Sequence, residues 1–424
     1  MKDKLIFTAE DFLKLFTLPK PTFADFCKNI QILDVTDRSG TFKVRQDLDG
    51  FIKRVSKDGT KDTRQDRLPL FKQKLYQILV TDIEHSLTEW FNSHGKLPEN
   101  LEFYFNIPDS DICSDKVFSG RTNAKYGKLS KNINFVNYYN TKKLWTTDSE
   151  YTFGLLRIMV EEFKLRNSLV GPAFFDQICQ YDGDPKKFWL AFMIGANRPS
   201  TFNPATYKGI LDELFTGETL LAPVMGWNSY QIAFYSSKFS KFIATDVIPD
   251  VVSNGNMLQR EWENLNQSKL FSFGETTKSK SVELYLCPSE ELNARHNFIN
   301  KYKDQVDAVL FSPPYYDLEI YDSDDQSFTS YPDYTVWLER YWAETVKLCE
   351  AVMKPGAKFG FVISNYVNKD KIMTTISQDM RDVAARYLGS PEHYRVQWSA
   401  ISTSRQSHKT RGGNFEDLWL FTKK

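Results

Sequence analysis

The residues whose types and spacing suggest chemistry are Ser312-Pro313-Pro314-Tyr315, which close the run Asp307-Ala308-Val309-Leu310-Phe311. Two consecutive prolines cannot continue a central strand, because they lack N–H donors and fix φ. The strand is therefore expected to end in a rigid extended turn that leaves main-chain carbonyls unpaired. Such carbonyls accept hydrogen bonds from an amino group; Ser312 adds a hydroxyl acceptor and Tyr315 a flat face for stacking on a base. An exocyclic ring amine is a poor nucleophile, since its lone pair is delocalised into the ring. Two acceptors that draw its hydrogens out of the ring plane would help it attack a methyl sulfonium. A bare Ser-Pro-Pro-Tyr is more often a plain strand end beside an aromatic residue. Context separates this one, because an apolar strand opened by an acid, the fourth in an alternating series, leads into it.

That series follows a change of character near residues 145–200. Before it the chain is irregular, charged, and rich in Lys, Asn, Tyr and Phe; beyond it short apolar runs alternate with helical stretches. A helix is predicted over Pro204 to Phe215, led into by Ser200-Thr201-Phe202-Asn203. Strands are predicted at Leu220 to Pro223, Lys241 to Asp246, Val282 to Cys287, Val306 to Phe311 and Phe359 to Ser364. Further helices fall at Ser229 to Ser237 and at Tyr334 to Met353, the latter stopped by Pro355-Gly356; Tyr394 to Ser399 and Leu418 to Thr422 form a closing hairpin. The expected fold is α/β, a doubly wound, mainly parallel Rossmann-like sheet with its ligands at the carboxyl ends of the strands. The organisation expected is an α-rich or mixed N-terminal accessory region (1–150), a helical connector (151–197) and a catalytic domain (198–424).

The tetrapeptide and its setting resemble the catalytic motif of the amino-group DNA methyltransferases, Asp/Asn/Ser-Pro-Pro-Tyr/Phe/Trp, over roughly residues 198–424. The resemblance implies methyl transfer from S-adenosylmethionine to adenine N6 or cytosine N4. It assigns capture of the amine to Ser312 and the Pro313 carbonyl, and stacking on the extruded base to Tyr315; Pro314 completes the motif. Extrusion is a physical necessity, because the amine is otherwise paired inside the duplex. Adenine is placed slightly ahead of cytosine, on the unpermuted order of cofactor loop before Ser-Pro-Pro-Tyr.

The same resemblance places the cofactor. The family's loop Asp-Pro-x-x-Gly-x-Gly is similar to Ala222-Pro223-Val224-Met225-Gly226-Trp227-Asn228, with Ala222 in place of the acid and Asn228 in place of the second glycine. Asn tolerates positive φ, whereas loss of the acid removes a contact to the methionine ammonium. Pro223, Met225, Gly226 and Trp227 are the expected loop contacts, Asp246 the ribose partner, Ser289 and Glu290 the adenine neighbours, and Phe202-Asn203 the segment at the methionine end.

DNA is the expected partner, although 54 basic and 54 acidic residues leave no formal net charge. Basic surface must then be local. One stretch runs from Lys43 to Arg67 with interspersed aspartates; a second, Lys116 to Lys143, carries Lys125, Lys128 and Lys131 among aromatic residues. A third, Arg405 to Gly413 with Lys409 and Arg411, is expected as a loop near the catalytic edge. A solvated lysine-rich surface explains the first two equally well. Five scattered cysteines and five scattered histidines show no metal-ligand spacing, so no metal and a reduced, cytoplasmic protein are expected. No run of about 18 apolar residues predicts a membrane span, and Thr8 is placed to cap a short N-terminal amphipathic helix. Carbon-5 cytosine methylation fits poorly, since it needs a Pro-Cys pair and only Cys287-Pro288 is present. An RNA or protein amine methyltransferase and a non-catalytic nucleic-acid-binding protein with the same fold are the alternatives.

Overall fold

The computed structural model describes residues 22–25, 67–94, 97–109, 118–119, 125–134, 172–187, 201–273, 279–318, 325–366, 368, 372–397 and 415–424. They group into two compact units, one drawn from Met1–Lys96 and Tyr138–Arg198, the other from Leu97–Asn137 and Pro199–Lys424. In the first unit the described elements are helices, including Leu68–Gln77, Ile83–His94 and Pro172–Cys179. Phe71 stacks on Phe175 at 4.8 Å, and the Arg67 guanidinium pairs with Asp176 at 3.0 Å.

The second unit carries the sheet. In chain order its principal elements are α1 (Leu101–Phe105), β1 (Phe118–Ser119), α2 (Gly127–Ile133), α3 (Pro204–Leu214), β2 (Thr219–Ala222), α4 (Ser229–Ser236), β3 (Lys241–Asp246) and α5 (Pro249–Phe273). They continue with β4 (Ser281–Leu286), β5 (Val306–Phe311), α6 (Ala343–Val352), β6 (Met353–Ile363), α7 (Ile376–Leu388), β7 (Glu392–Gln397) and β8 (Phe415–Thr422). Alternation of strands and helices yields the expected α/β sheet, in the order β1-β7-β8-β6-β5-β2-β3-β4. Every pairing is parallel except those of β8, which runs antiparallel to both β6 and β7 and so makes the closing hairpin.

β5 is buried at every position but Asp307, as a strand covered on both faces must be. Asp307 ties the start of β5 to that of β2. Its carboxylate accepts from the Glu218 and Thr219 N–H groups at 3.0 and 2.9 Å and from Lys354 at 2.6 Å. The chain order reverses between β2 and β5, which are paired neighbours. That reversal is the switch point of a doubly wound sheet, where the connections leave in opposite directions and open a crevice beyond the strand ends.

Helices close both faces. Trp342 lies in a π turn (Leu338–Trp342) ahead of α6, fully buried against Phe311, Phe359 and Phe361, and its indole N–H donates to the Met380 carbonyl of α7 at 2.7 Å. Gly255, inside α5, lets that helix approach the sheet: a Cβ there would stand 2.5 Å from Leu284 and 2.7 Å from Met225. Among the described residues no helix is long and apolar enough to cross a membrane, and no group of three His, Cys, Asp or Glu could hold a metal.

Candidate active site

Beyond Val309, β5 has no further ladder partner on β2. The backbone groups that run on past it are satisfied by two tyrosines instead. The Tyr207 hydroxyl, from α3, donates to the Leu310 carbonyl at 2.6 Å, and the Ser312 N–H donates to the Tyr230 hydroxyl of α4 at 2.9 Å. The two rings stack at 4.5 Å and 18°. Burial drives the Tyr207 hydroxyl well above its ordinary range, so it stays a donor. This pair fixes where the strand stops and where Ser312-Pro313-Pro314 begins.

The turn is pinned again at Tyr315. Its hydroxyl donates to the Glu416 carboxylate of β8 at 2.5 Å and accepts from the Ser364 N–H at 3.1 Å. Tyr315 is buried, its ring at 6.2 Å from Tyr366 in an edge-on arrangement. Tyr316 follows with φ of +51°, a strained state for a non-glycine residue, held by edge contacts to Phe328, Tyr334 and Trp337 at 5.1–5.5 Å.

At the end of β2 the chain turns through Gly226, Trp227 and Asn228 with φ of +52°, +57° and +63°. Two of the three are not glycine, and each left-handed L-residue costs about 1–2 kcal/mol. The surroundings hold them there. The Trp227 carbonyl accepts from Ser130 Oγ at 2.5 Å and Asn134 Nδ2 at 3.1 Å, both presented by α2 and its C-cap. Asn228, fully buried, accepts from Asn134 Nδ2 at 2.9 Å and donates to the Val251 carbonyl at 2.9 Å, while Asn254 donates to Ile133 and Asn134. At Gly226 a Cβ would stand 2.5 Å from the Tyr230 ring that holds Ser312, so no larger residue fits.

Asp246 ends β3, and its carboxylate accepts from the Met225 N–H at 3.3 Å and the Ile248 N–H at 3.0 Å. Burial pushes it up to about 6 against the pull of those N–H groups. After β4, Ser289 shares a hydrogen bond with Thr345 at 2.8 Å, and Glu290 is pushed up to about 7, mainly by burial. Burial also lifts the neighbouring Cys287 thiol to about 11, which makes it a poor nucleophile.

One cavity gathers these groups. Its wall includes Phe202, Pro223, Gly226, Trp227, Asp246, Ser289, Glu290, Ser312, Pro313, Pro314 and Tyr315. Two expected residues stand behind that wall: Asn203 caps α3 by accepting from the Ala205 N–H at 2.9 Å, and Met225 is buried with its N–H on Asp246. The structure adds Tyr230, Tyr341 and Glu416 to the wall, and behind it Tyr207, Ser130, Asn134 and Asn254. Glu416 carried no sequence signal, being one of two adjacent acids ahead of the apolar run Leu418–Thr422, and the asparagines had none either. Lys125 and Lys128 are exposed at the start of α2 and Lys131 is half-buried, with the Lys125 ammonium 5.0 Å from the rings of Phe103 and Tyr126. Arg405, Lys409, Arg411, Thr8 and the stretch from Lys43 to its neighbours before Arg67 lie outside the described residues.

No protein-family model and no curated protein matches the chain. Among solved structures it is similar to TrmN from Thermus thermophilus, at 11% identity over 53% of this chain and 50% of that one, with a TM-score of 0.32. The chain thus spans half of that protein's length. It is also similar to the N-methyltransferase NodS from Bradyrhizobium japonicum WM9 in complex with S-adenosyl-L-homocysteine (9% identity, 49% and 78% of the two chains, TM-score 0.29). A geranyl diphosphate methyltransferase in complex with SAM gives 14%, 52%, 85% and 0.33 for the same quantities.

Proposed function

We propose that the chain is an S-adenosylmethionine-dependent methyltransferase acting on the exocyclic amine of a flipped DNA base, adenine N6 slightly ahead of cytosine N4. The observation that carries this reading is the convergence of the Ser312–Tyr315 turn and the Asp246 carboxylate on one cavity, at the point where the strand order reverses. Asp246 fits a ribose: burial disfavours its charge even against its backbone N–H partners, it lines the cavity, and a vicinal diol supplies two further O–H donors. Gly226, which lines the same cavity, is held to glycine by the Tyr230 ring in its Cβ position and by its positive φ.

In this reading Phe202, Pro223, Gly226 and Trp227 enclose the methionine end and Ser289 with Glu290 the adenine. Asn203 and Met225 shape the site from behind by capping α3 and fixing Asp246. When bound, the cofactor supplies an electrophilic methyl group on a sulfonium sulfur. Ser312 and the Pro313 carbonyl accept the two amine hydrogens and free the nitrogen lone pair. The Tyr230 hydroxyl, already engaged by the Ser312 N–H, keeps these acceptors in place. Lys125, Lys128 and Lys131, with Arg405, Lys409 and Arg411, are the proposed phosphate contacts.

Two measurements test the proposal. Calorimetric titration with S-adenosylmethionine should show saturable binding; no heat, with or without DNA, sinks the methyltransferase reading. DNA and RNA incubated in parallel with the protein and cofactor are then digested to nucleosides and weighed. N6-methyladenine from the DNA arm is expected, and methylation confined to RNA would replace the substrate class.

A further inference from the structure

Four carboxyl groups stand on the cavity wall: Asp246, Glu290, Asp325 and Glu416. The first two belong to the proposed ribose and adenine positions, and the charge of Asp325 is felt at Cys287 and Arg295, on the adenine side. Among the described residues, Glu416 is the one that borders Tyr315. It is 4% exposed, and the Tyr315 hydroxyl donates to it at 2.5 Å. Its place on the cavity wall puts a carboxyl acceptor beside the Ser312–Tyr315 turn. Ser312, by contrast, brings no charge to the motif.

From this geometry we infer that Glu416 is the anionic group of the amine site: it stabilises positive charge developing on the target nitrogen and takes its proton. The inference rests on the methyltransferase reading and deepens it. As the nitrogen lone pair forms the N–C bond, the S–C bond breaks with its electron pair going to sulfur. The nitrogen then carries the positive charge that sulfur has lost and must shed one N–H proton. The Glu416 carboxylate, on the cavity wall, receives that proton directly and releases it to solvent between turnovers. A substrate with an N–H donor is favoured and one offering only an acceptor is excluded, because an acceptor would face a buried carboxylate unpaired.

The test compares the wild-type protein with Glu416→Gln and Tyr315→Phe. Glu416→Gln keeps the shape and loses the charge. It is expected to lower kcat roughly 10- to 100-fold, within the range of a lost proton acceptor. Its cofactor Kd by calorimetry should stay within about twofold of wild type, and so should its fluorescence response with a duplex carrying 2-aminopurine at the target, which reports base capture. Tyr315→Phe keeps the ring and the carboxylate, so its loss should be distinctly smaller. An unchanged kcat in Glu416→Gln overturns the inference, and so does an equal loss in Tyr315→Phe, which would mean that the carboxylate works only by positioning the tyrosine. If Glu416→Gln does not fold, Glu416→Asp replaces it: the retained charge should keep activity within about tenfold of wild type, and complete loss overturns the assignment. A wild-type protein inert on every nucleic acid overturns both proposals, whereas an active wild type with an unaffected Glu416→Gln overturns this one alone.

Discussion

Asp246 ends β3 half-buried, and its carboxyl is pushed up to about 6 by that burial. In the unfolded chain the same group titrates near about 3.9. The folded state therefore binds the proton more tightly, and stability falls as pH rises from about 4 to about 6, a loss of about 3 kcal/mol that persists above that window. Asp246→Asn should accordingly raise the Tm of the ligand-free protein at pH 8. Binding runs the other way, because ribose hydroxyls donate to the ionised carboxylate. Cofactor affinity should climb between about pH 5 and 7, with Glu290, at about 7, adding an upper step. In Asp246→Asn the lower step should vanish and affinity fall about tenfold or more. Calorimetry across that range checks this; a wild-type affinity flat in pH would contradict it. Such a residue destabilises the fold in the service of a ligand, the usual cost of a preformed site.

At the scale of elements, α2 matters more than its length suggests. Its outer face carries Lys128, and its inner face and C-cap deliver Ser130 and Asn134 to a turn of consecutive left-handed residues. Asn134→Ala would leave the Trp227 carbonyl, Asn228 Oδ1 and Asn254 Nδ2 each one partner short in a buried site. A destabilisation of about 2–3 kcal/mol is expected, read from the urea midpoint. The turn should also relax, raising the cofactor Kd about tenfold. A turn whose affinity ignores Asn134→Ala would be self-supporting, and α2 a mere cover.

For the molecule as a whole, residues 97–137 belong with the sheet unit. Phe105 is buried and packs edge-on against Tyr235 at 4.9 Å, the Ile107 N–H donates to Ser236 Oγ at 2.8 Å, and Leu129 is fully buried. A chain starting at Pro199 would expose the surfaces these residues cover. It is expected to aggregate or to melt several degrees below a protein that retains 97–137, as followed by circular dichroism. An equally stable 199–424 would make 97–137 an appendage.

What the sequence determined by itself was the sheet and the tetrapeptide. The stretch Ala308–Phe311 of β5 is buried on both faces and so reads as an apolar run, and Pro313-Pro314 or Pro223 mark strand ends by removing backbone donors. Asn228 in the left-handed state was legible too, from the tolerance of asparagine for positive φ. α5 was not: its buried Val251, Val252, Met257 and Leu258 lie near its start, and the remainder is too polar to show a helical stripe. Only the tertiary structure decided what meets what. Glu416 reaches Tyr315 across 101 residues of sequence and Asn134 reaches Asn228 across 94, because β8 is inserted antiparallel beside β6 and α2 docks on the turn after β2. Pairing at such separations depends on sheet order and packing, and no local propensity encodes it.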